Sequence, residues 1–277
     1  MCSNIILGGA QLGLNYGITN RADYVTKKNS HEILLYAQKL GVTAVDIAYD
    51  YGQIFGWINK INPGLALISK LKLFNQTDIR YILKKHLSID RLKYILIHDA
   101  DDYCFTKTDK ERVHELIEFC STNKFKWGIS VYGIEALRKF LDHGWVPHLV
   151  QYPHNVLCAD DEIGNLCSSL NIETHIRSVL LQGLLIMPHF GDLPSQFRKN
   201  ASLMRWYEWL AKNNFHPIDV CLRGESIAHR TKILGVQNVI QLEDLIGRAF
   251  GPIVDCTSLT KSVDKNLLDA RNWIHRS

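Results

Sequence analysis

Short, almost wholly apolar runs alternate along this chain with segments whose apolar residues recur at helical spacing. A run with no polar face reads as a strand covered on both sides, and strands that alternate with helices build a parallel sheet. The strand candidates are Asn4–Gly8, Val42–Asp46, Leu65–Lys70, Tyr94–His98, Trp127–Ser130, Leu149–Gln151, Thr174–Ser178 and Thr231–Gly235. Between them lie helical faces. Ile33, Leu34, Ala37 and Leu40 make the first, with Ser30 as N-cap and Gly41 as stop. Ile79, Ile82, Leu83 and Leu87 make another. Val113, Leu116, Ile117 and Cys120 follow a Thr108/Glu111 capping box. The remaining faces are Ile134/Leu137/Leu141, Ile163/Leu166/Cys167/Leu170 and Val239/Leu242/Leu245/Ile246. The stretch Ile54–Lys60 is poorly amphipathic, Pro188–Asn200 reads as a loop over one end, and Asp264–His275 as a closing C-terminal helix.

Eight such units with no break in composition predict an α/β fold, a (β/α)8 TIM barrel, as one domain over residues 1–277. The rival is an open doubly wound sheet. Its dinucleotide turn reads GxGxxG and opens into a helix, whereas Gly8-Gly9-Ala10-Gln11-Leu12-Gly13 reads GGxxxG and does not.

A formal charge of +4 with no basic block argues against a nucleic-acid partner or an anionic membrane. The seven cysteines, among them Cys2, are odd in number and hold no CxxC pair, which fits thiols of a reducing compartment better than a disulfide or zinc framework. Met1-Cys2-Ser3-Asn4 lacks the charged start of a signal peptide. The longest apolar segment, Val179–Met187, is broken by Gln182 and falls far short of the ~20 residues that span a bilayer. A cytoplasmic protein is expected, as a monomer or small homo-oligomer.

In parallel barrels, side chains at strand C-termini and in the loops beyond them converge on one site. Here the second strand ends in Asp46 with Tyr51 beyond it, the third in Lys70 and the fourth in His98. Adjacent strands lie about 5 Å apart, so the four side chains can share one volume. Their chemistry fits carbonyl reduction. Hydride addition to a carbonyl carbon builds negative charge on oxygen, which needs a proton or hydrogen bonds. Tyr51 can be the acid, although a free phenol titrates at about 10. A Lys70 ammonium stabilises the phenolate, Asp46 anchors the lysine, and His98 can bind the carbonyl oxygen.

These motifs resemble, in order, those of the aldo-keto reductases, NAD(P)H-dependent carbonyl reductases on a (β/α)8 barrel. Asp46-Ile-Ala-Tyr-Asp-Tyr51-Gly52 is similar to the family's Asp/Tyr signature, Ile68-Ser69-Lys70 to its lysine strand and Leu96-Ile97-His98-Asp99 to its histidine strand. The resemblance implies that Asp46, Tyr51, Lys70 and His98 are the catalytic tetrad. It implies that Ser130, in Gly128-Ile129-Ser130, and Gln151, in Gln151-Tyr152-Pro153-His154-Asn155, meet the nicotinamide carboxamide. Arg177 falls where a ring stacks on the nicotinamide, and Ser178, Leu180, Gln182 and Gly183 where the pyrophosphate binds. Gly235, Gln237 and Gln241 lie in the adenosine-phosphate segment, Leu234–Leu245. The cofactor implied is NADPH, with NADH open, because neutral Gln241 stands where many members place an arginine on the 2'-phosphate. Val131 replaces an asparagine, and Val236 and Leu245 replace a serine and another asparagine.

Each residue also has a plainer reading. Asp46 can cap a turn, Tyr51 can be a half-buried loop aromatic, and Lys70 has a neighbour in Lys72. His98 is one of twelve histidines, and Ser130 and Gln151 can be strand-end hydrogen-bonders. Two other functions stay open: a cofactor-binding sensor or scaffold with weak turnover, and a metal-dependent hydrolase using His98, Asp99, Asp101 and Asp102, although no HxH pair supports it. The substrate pocket is expected from Gly13–Tyr24, Phe55–Trp57, Tyr103–Phe105 and Pro188–Phe197, where Phe55, Trp57 and Phe190 either wall the pocket or pack the core.

Overall fold

Parallel strands cannot be joined by tight hairpins, so each apolar run needs a crossover before the next can pair with it. The computed structural model describes residues 4–18, 25–74, 78–260 and 263–273. Its strands are β1 (Ile5–Gly8), β2 (Ala44–Ala48), β3 (Ala66–Leu71), β4 (Leu92–Ile97), β5 (Lys126–Ser130), β6 (Leu149–Pro153), β7 (Glu173–Arg177) and β8 (Thr231–Gly235). They pair in chain order into a closed barrel, and β8 returns to β1 in parallel register. This is the expected (β/α)8 barrel, not the open sheet.

Helices α1 (Ala10–Gly13) and α2 (Lys27–Lys39) occupy the first crossover, and α3 (Ile54–Ile61), α4 (Ile79–His86), α5 (Lys107–Thr122), α6 (Ile134–Leu141) and α7 (Glu162–Ser169) the next five. α8 (Ala201–Asn213) and α9 (Pro217–Arg223) follow β7, then come α10 (Val239–Arg248) and a short α11 (Lys265–Leu268). The period-2 alternation of each strand separates two cores. Val45, Ile47, Leu67, Ile95, Ile97, Ile129 and Val150 face the helices. Ile6, Ala44, Ile68, Tyr94, Leu96 and Leu149 form a small plug inside the barrel. Among the described residues no helix is long and apolar enough to cross a membrane, and the six cysteines are free.

Several local readings are corrected. Thr26, not Ser30, caps α2, since its side chain accepts from Asn29 N at 3.2 Å while Ser30 is buried inside the helix. The capping box of α5 is Thr106 with Asp109, because the shorter carboxylate at N3 reaches back to the cap as a glutamate would. The Ile54–Lys60 stretch is a helix that buries Ile54, Ile58 and Ile61, an i, i+4, i+7 face. Pro188–Asn200 holds two 3-10 turns and buries Leu193 and Phe197. The α8 and α9 segments, not anticipated, bury Leu203, Trp206, Leu210, Val220, Cys221 and Leu222. Asp264 and Asp269 each cap a separate turn, so the expected C-terminal helix is split. Residues 274–275 of that helix, residues 1–3 and the 19–24 part of the first loop lie outside the described residues.

The glycine turn after β1 has a steric purpose. A Cβ on Gly13 would lie 2.0 Å from Tyr51 O, and one on Gly52, at φ +57°, would lie 2.3 Å from Gly13 O. These two loops therefore touch backbone to backbone, which seats the Tyr51 loop against the barrel. Gly13→Ala should cost on the order of 2–3 kcal/mol and reduce turnover by displacing Tyr51, read by urea unfolding and steady-state kinetics. A variant of unchanged stability would refute the contact.

Candidate active site

Register and alternation bring the first three polar groups together. Asp46 pairs with Ile68 and Ala48 with Lys70, so Asp46 and Lys70 lie an even number of positions apart and point into the barrel from adjacent strands. Gln151 arrives from β6 across the barrel. Lys70 Nζ forms a close ion pair with Asp46 Oδ1 and donates to Gln151 Oε1 at 3.3 Å. Gln151 Nε2 donates to Asp46 Oδ2 at 2.6 Å. All three are buried, and together they close a ring of hydrogen bonds above the apolar plug.

Tyr51 and His98 stand beside this ring. Lys70 Nζ lies 5.3 Å from the Tyr51 ring centroid, and His98 meets Tyr51 edge-on at 5.8 Å. Burial pushes the Tyr51 phenol up, and although Lys70 pulls it down, the outcome is above the ordinary tyrosine value. The lysine therefore does not win outright, and the phenol keeps its proton. Burial also opposes the Lys70 ammonium, but Asp46 and Tyr51 outweigh it and raise Lys70 above its usual value. Lys72 is accounted for elsewhere, 3.4 Å from Asp50.

A cavity of about 480 Å³ opens at the strand C-termini and is lined by all four of Asp46, Tyr51, Lys70 and His98. On the far side it is lined by Arg177, Ser178, Leu180, Gln182 and Gly183, at and beyond the end of β7, and by Gly235, Gln237 and Gln241, at and beyond the end of β8. Ser178, Leu181 and Gln182 take left-handed φ of 59°, 48° and 52°, and Gly183 a φ of 94°, a compact turn beside the cavity. The Gln182 side chain accepts from Ile18 N at 3.2 Å, and Gln241 Oε1 from Gln237 N at 2.9 Å. Ser130 and Gln151 do not line the cavity: both are buried, and both amide ends of Gln151 are engaged by Asp46 and Lys70.

Two wall residues, Tyr16 and Tyr132, and one residue packed behind the wall, Arg271, had not been singled out. Tyr16, 39% exposed, lines the cavity and has its phenol pushed up to about 12, first by partial removal from water and then by Tyr51 and Tyr132. Arg177 lies 4.1 Å over the Tyr132 ring and donates to Val131 O at 3.2 Å. Arg271 lies 3.8 Å from the same ring, so Tyr132 is held between two guanidinium groups. Arg271 is itself tied to Asp269 at 2.7 Å and Asp101 at 3.7 Å, and Asp101 accepts from Tyr132 N at 3.0 Å. Tyr132 could have been found from its place just past a strand end, but Arg271 carries no sequence signal, being joined to the mouth only through tertiary contact.

The expected pocket walls turn out to be core. Phe55 packs edge-on against Tyr49 and His86, Phe190 against Tyr207, and Tyr103 among Phe74, Phe105, Phe140 and Trp145. Neither these nor Trp57 line the cavity; of the named loops, only the first contributes, through Tyr16 and Gly17. The acidic cluster after β4 is dispersed. Asp99 accepts from Leu73 N and Phe74 N at 2.7 and 3.0 Å, and among the described residues no three His, Cys, Asp or Glu side chains are placed to hold a metal.

In architecture the protein is a closed (β/α)8 barrel with a lysine–carboxylate floor and a phenol at its C-terminal mouth. A profile of the aldo/keto reductase family matches residues 4–255, and the chain belongs to that family. No curated protein matches it. Among solved structures, an aldo-keto reductase of Bacillus halodurans in its holo form is 14% identical, with a TM-score of 0.71 over 96% of this chain and 95% of that one. A Bombyx mori aldo-keto reductase in complex with NADP is 16% identical, with a TM-score of 0.64 over 98% and 92%. A glycerol dehydrogenase from Gluconobacter oxydans is 16% identical, with a TM-score of 0.64 over 95% and 94%. At these identities the likeness is one of fold.

One buried histidine links the site to stability. Ser69, next to Lys70, lies 3.0 Å from His86 Nε2, and His86 Nδ1 lies 2.8 Å from Ile82 O, tying β3 to α4. Burial lowers the His86 pKa from 6.5 to about 4. The folded state therefore binds fewer protons than the unfolded chain, so stability is full above pH 6.5 and is lost as pH falls toward 4. The loss should be about 3 kcal/mol. Urea midpoints measured across this window should converge for the wild type and His86→Gln at low pH, and a pH-independent difference would refute it.

Proposed function

We propose that this protein reduces an aldehyde or ketone to the alcohol, using NADPH or NADH. The observation that carries the reading is the Asp46–Lys70–Gln151 ring beneath Tyr51, with His98 at its side and a cavity open above. In this reading Tyr51 is the proton donor. Its pKa, raised by burial, keeps the proton on the phenol until a substrate oxygen gains charge, and the Lys70 ammonium then stabilises the phenolate that is left. Asp46 holds Lys70 in its charged form and in place. His98 binds and orients the substrate oxygen.

The chain's own residues fit a dinucleotide. Arg177, with one face on Tyr132, offers its other face to a nicotinamide, since a guanidinium stacks as a ring does. The turn Ser178–Gly183, with Leu180 and Gln182 at the wall, gives the backbone concavity in which anions bind. Gly235, Gln237 and Gln241 would hold the adenosine end. A bound nicotinamide supplies the hydride; every proton and charge in the step is managed by the tetrad. Gln151, expected against the carboxamide, is read here as the third member of the Asp46–Lys70 floor, and Ser130, expected beside it, is buried outside the cavity lining. NADPH is the family's expectation and NADH stays an alternative, because among the described residues no lysine or arginine lines the cavity beside Gln237 and Gln241.

Tyr51→Phe should lower kcat by on the order of 10²–10⁴ while leaving cofactor Kd within about twofold. Fluorescence titration with NADPH and NADH separately, followed by assay against a panel of carbonyl compounds, reads both quantities. Turnover that survives in the variant would mean the acid is misassigned.

A further inference from the structure

Asp50 sits between Tyr49 and Tyr51 in the loop after β2 and does not line the cavity, yet its carboxylate is aimed at the one tetrad residue that lacks support. His98 Nδ1 is shielded from solvent and has no aligned hydrogen-bond partner. Asp50 Oδ1 lies 3.5 Å from it, and Asp50 Oδ2 lies 3.4 Å from Lys72 Nζ. Backbone contacts already fix the base of the ring, since His98 N donates to Leu71 O at 2.7 Å, and its edge lies against Tyr51 at 5.8 Å. What is left free is rotation of the ring and the placement of its hydrogens. The other charged and titratable groups around it are Tyr51, Lys70 and Lys72 and, across the cavity, Arg177.

A carboxylate can only accept, so the nitrogen that faces it must carry a hydrogen. We propose that Asp50 is a positioning residue for His98, holding a hydrogen on Nδ1 and so fixing Nε2 as the nitrogen that meets the substrate. Burial opposes the Asp50 charge, but His98 and Lys72 outweigh it and keep the carboxyl below its usual range, which keeps it an acceptor. Hydrogen bonds of this kind are long in the free enzyme and tighten in the complex, and Asp50, 36% exposed, has room to turn by the few tenths of an ångström required. With Nδ1–H committed, a neutral ring offers Nε2 as an acceptor to an alcohol hydroxyl. It offers a hydrogen to a carbonyl oxygen only when the ring carries both hydrogens. Nε2 is thereby the nitrogen presented to the substrate oxygen, a consequence that rests on the reductase reading.

The test is a long-range ¹H–¹⁵N correlation spectrum of ¹⁵N-histidine-labelled protein, free of cofactor and substrate, with the His98 signals assigned by their loss in His98→Gln. The wild type should show hydrogen on Nδ1, and Asp50→Asn, whose amide can donate to that nitrogen, should move it toward the Nε2–H form. A wild-type Nε2–H signature, or a spectrum unchanged in Asp50→Asn, would overturn the proposal. In kinetics, Asp50→Asn should lower kcat on the order of 10-fold with KM little changed, Asp50→Glu should recover part of it, and Asp50→Asn should add nothing to His98→Gln. Additive losses would show that Asp50 acts elsewhere. The spectra do not depend on turnover, so an inactive protein with Nδ1–H would sink the reductase reading alone, and an active one with Nε2–H would sink only the role of Asp50.

Discussion

The ion pair between Lys70 and Asp46, buried inside the barrel, is the constraint from which the site follows. Removing two such charges from water costs several kcal/mol for each, which is recovered only when the geometry is close and the remaining lone pairs and protons are satisfied. Here Gln151 does that satisfying, giving its carbonyl oxygen to the lysine and its NH₂ to the second carboxylate oxygen. A glutamine that looked like a cofactor contact is thus the third member of the floor. Its position on β6, opposite β2 and β3, makes the barrel's closure a condition for the pair's existence.

Everything above the floor is arranged by loops that press against one another. The β1 loop and the Tyr51 loop meet at Gly13 and Gly52, too closely for any side chain between them. On the other side, Tyr132 gathers three distant pieces of chain: Asp101 after β4 accepts its N–H, Arg177 at the end of β7 stacks on its ring, and Arg271 from the C-terminal segment stacks as well. Cation–π contacts of this kind gain strength as water is excluded, so the clamp and the cavity wall support each other. The same mouth holds three phenols, Tyr16, Tyr51 and Tyr132, of which the first two are raised chiefly by partial removal from water.

In the proposed reduction Asp46 and Lys70 set the charge, Tyr51 keeps the proton, His98 supplies direction to the substrate oxygen, and the proposed role of Asp50 is to supply direction to His98. Lys72, a rival for the catalytic lysine when only spacing is considered, instead balances Asp50. The difference is one of position and not of parity, since Lys70 lies within β3 and is buried while Lys72, two residues on and past the strand's end, is 47% exposed.

Every strand of the barrel was legible in the sequence, because a strand buried on both faces must be apolar throughout and its crossover must carry a helical period. That Asp46, Tyr51, Lys70 and His98 would meet at one mouth was legible for a related reason, since in a parallel barrel the strand ends and the loops beyond them gather there. Helix starts were less so, as Thr26 and Thr106 show, because several hydroxyls near each start can serve as caps and only the accepting geometry chooses among them. The sequence could not say that Gln151 belongs to the floor, that Phe55 and Phe190 pack the core instead of walling a pocket, or that Arg271 reaches Tyr132. Those facts depend on contacts between residues far apart in the chain, and such contacts exist only once the barrel has closed and brought its loops to one end.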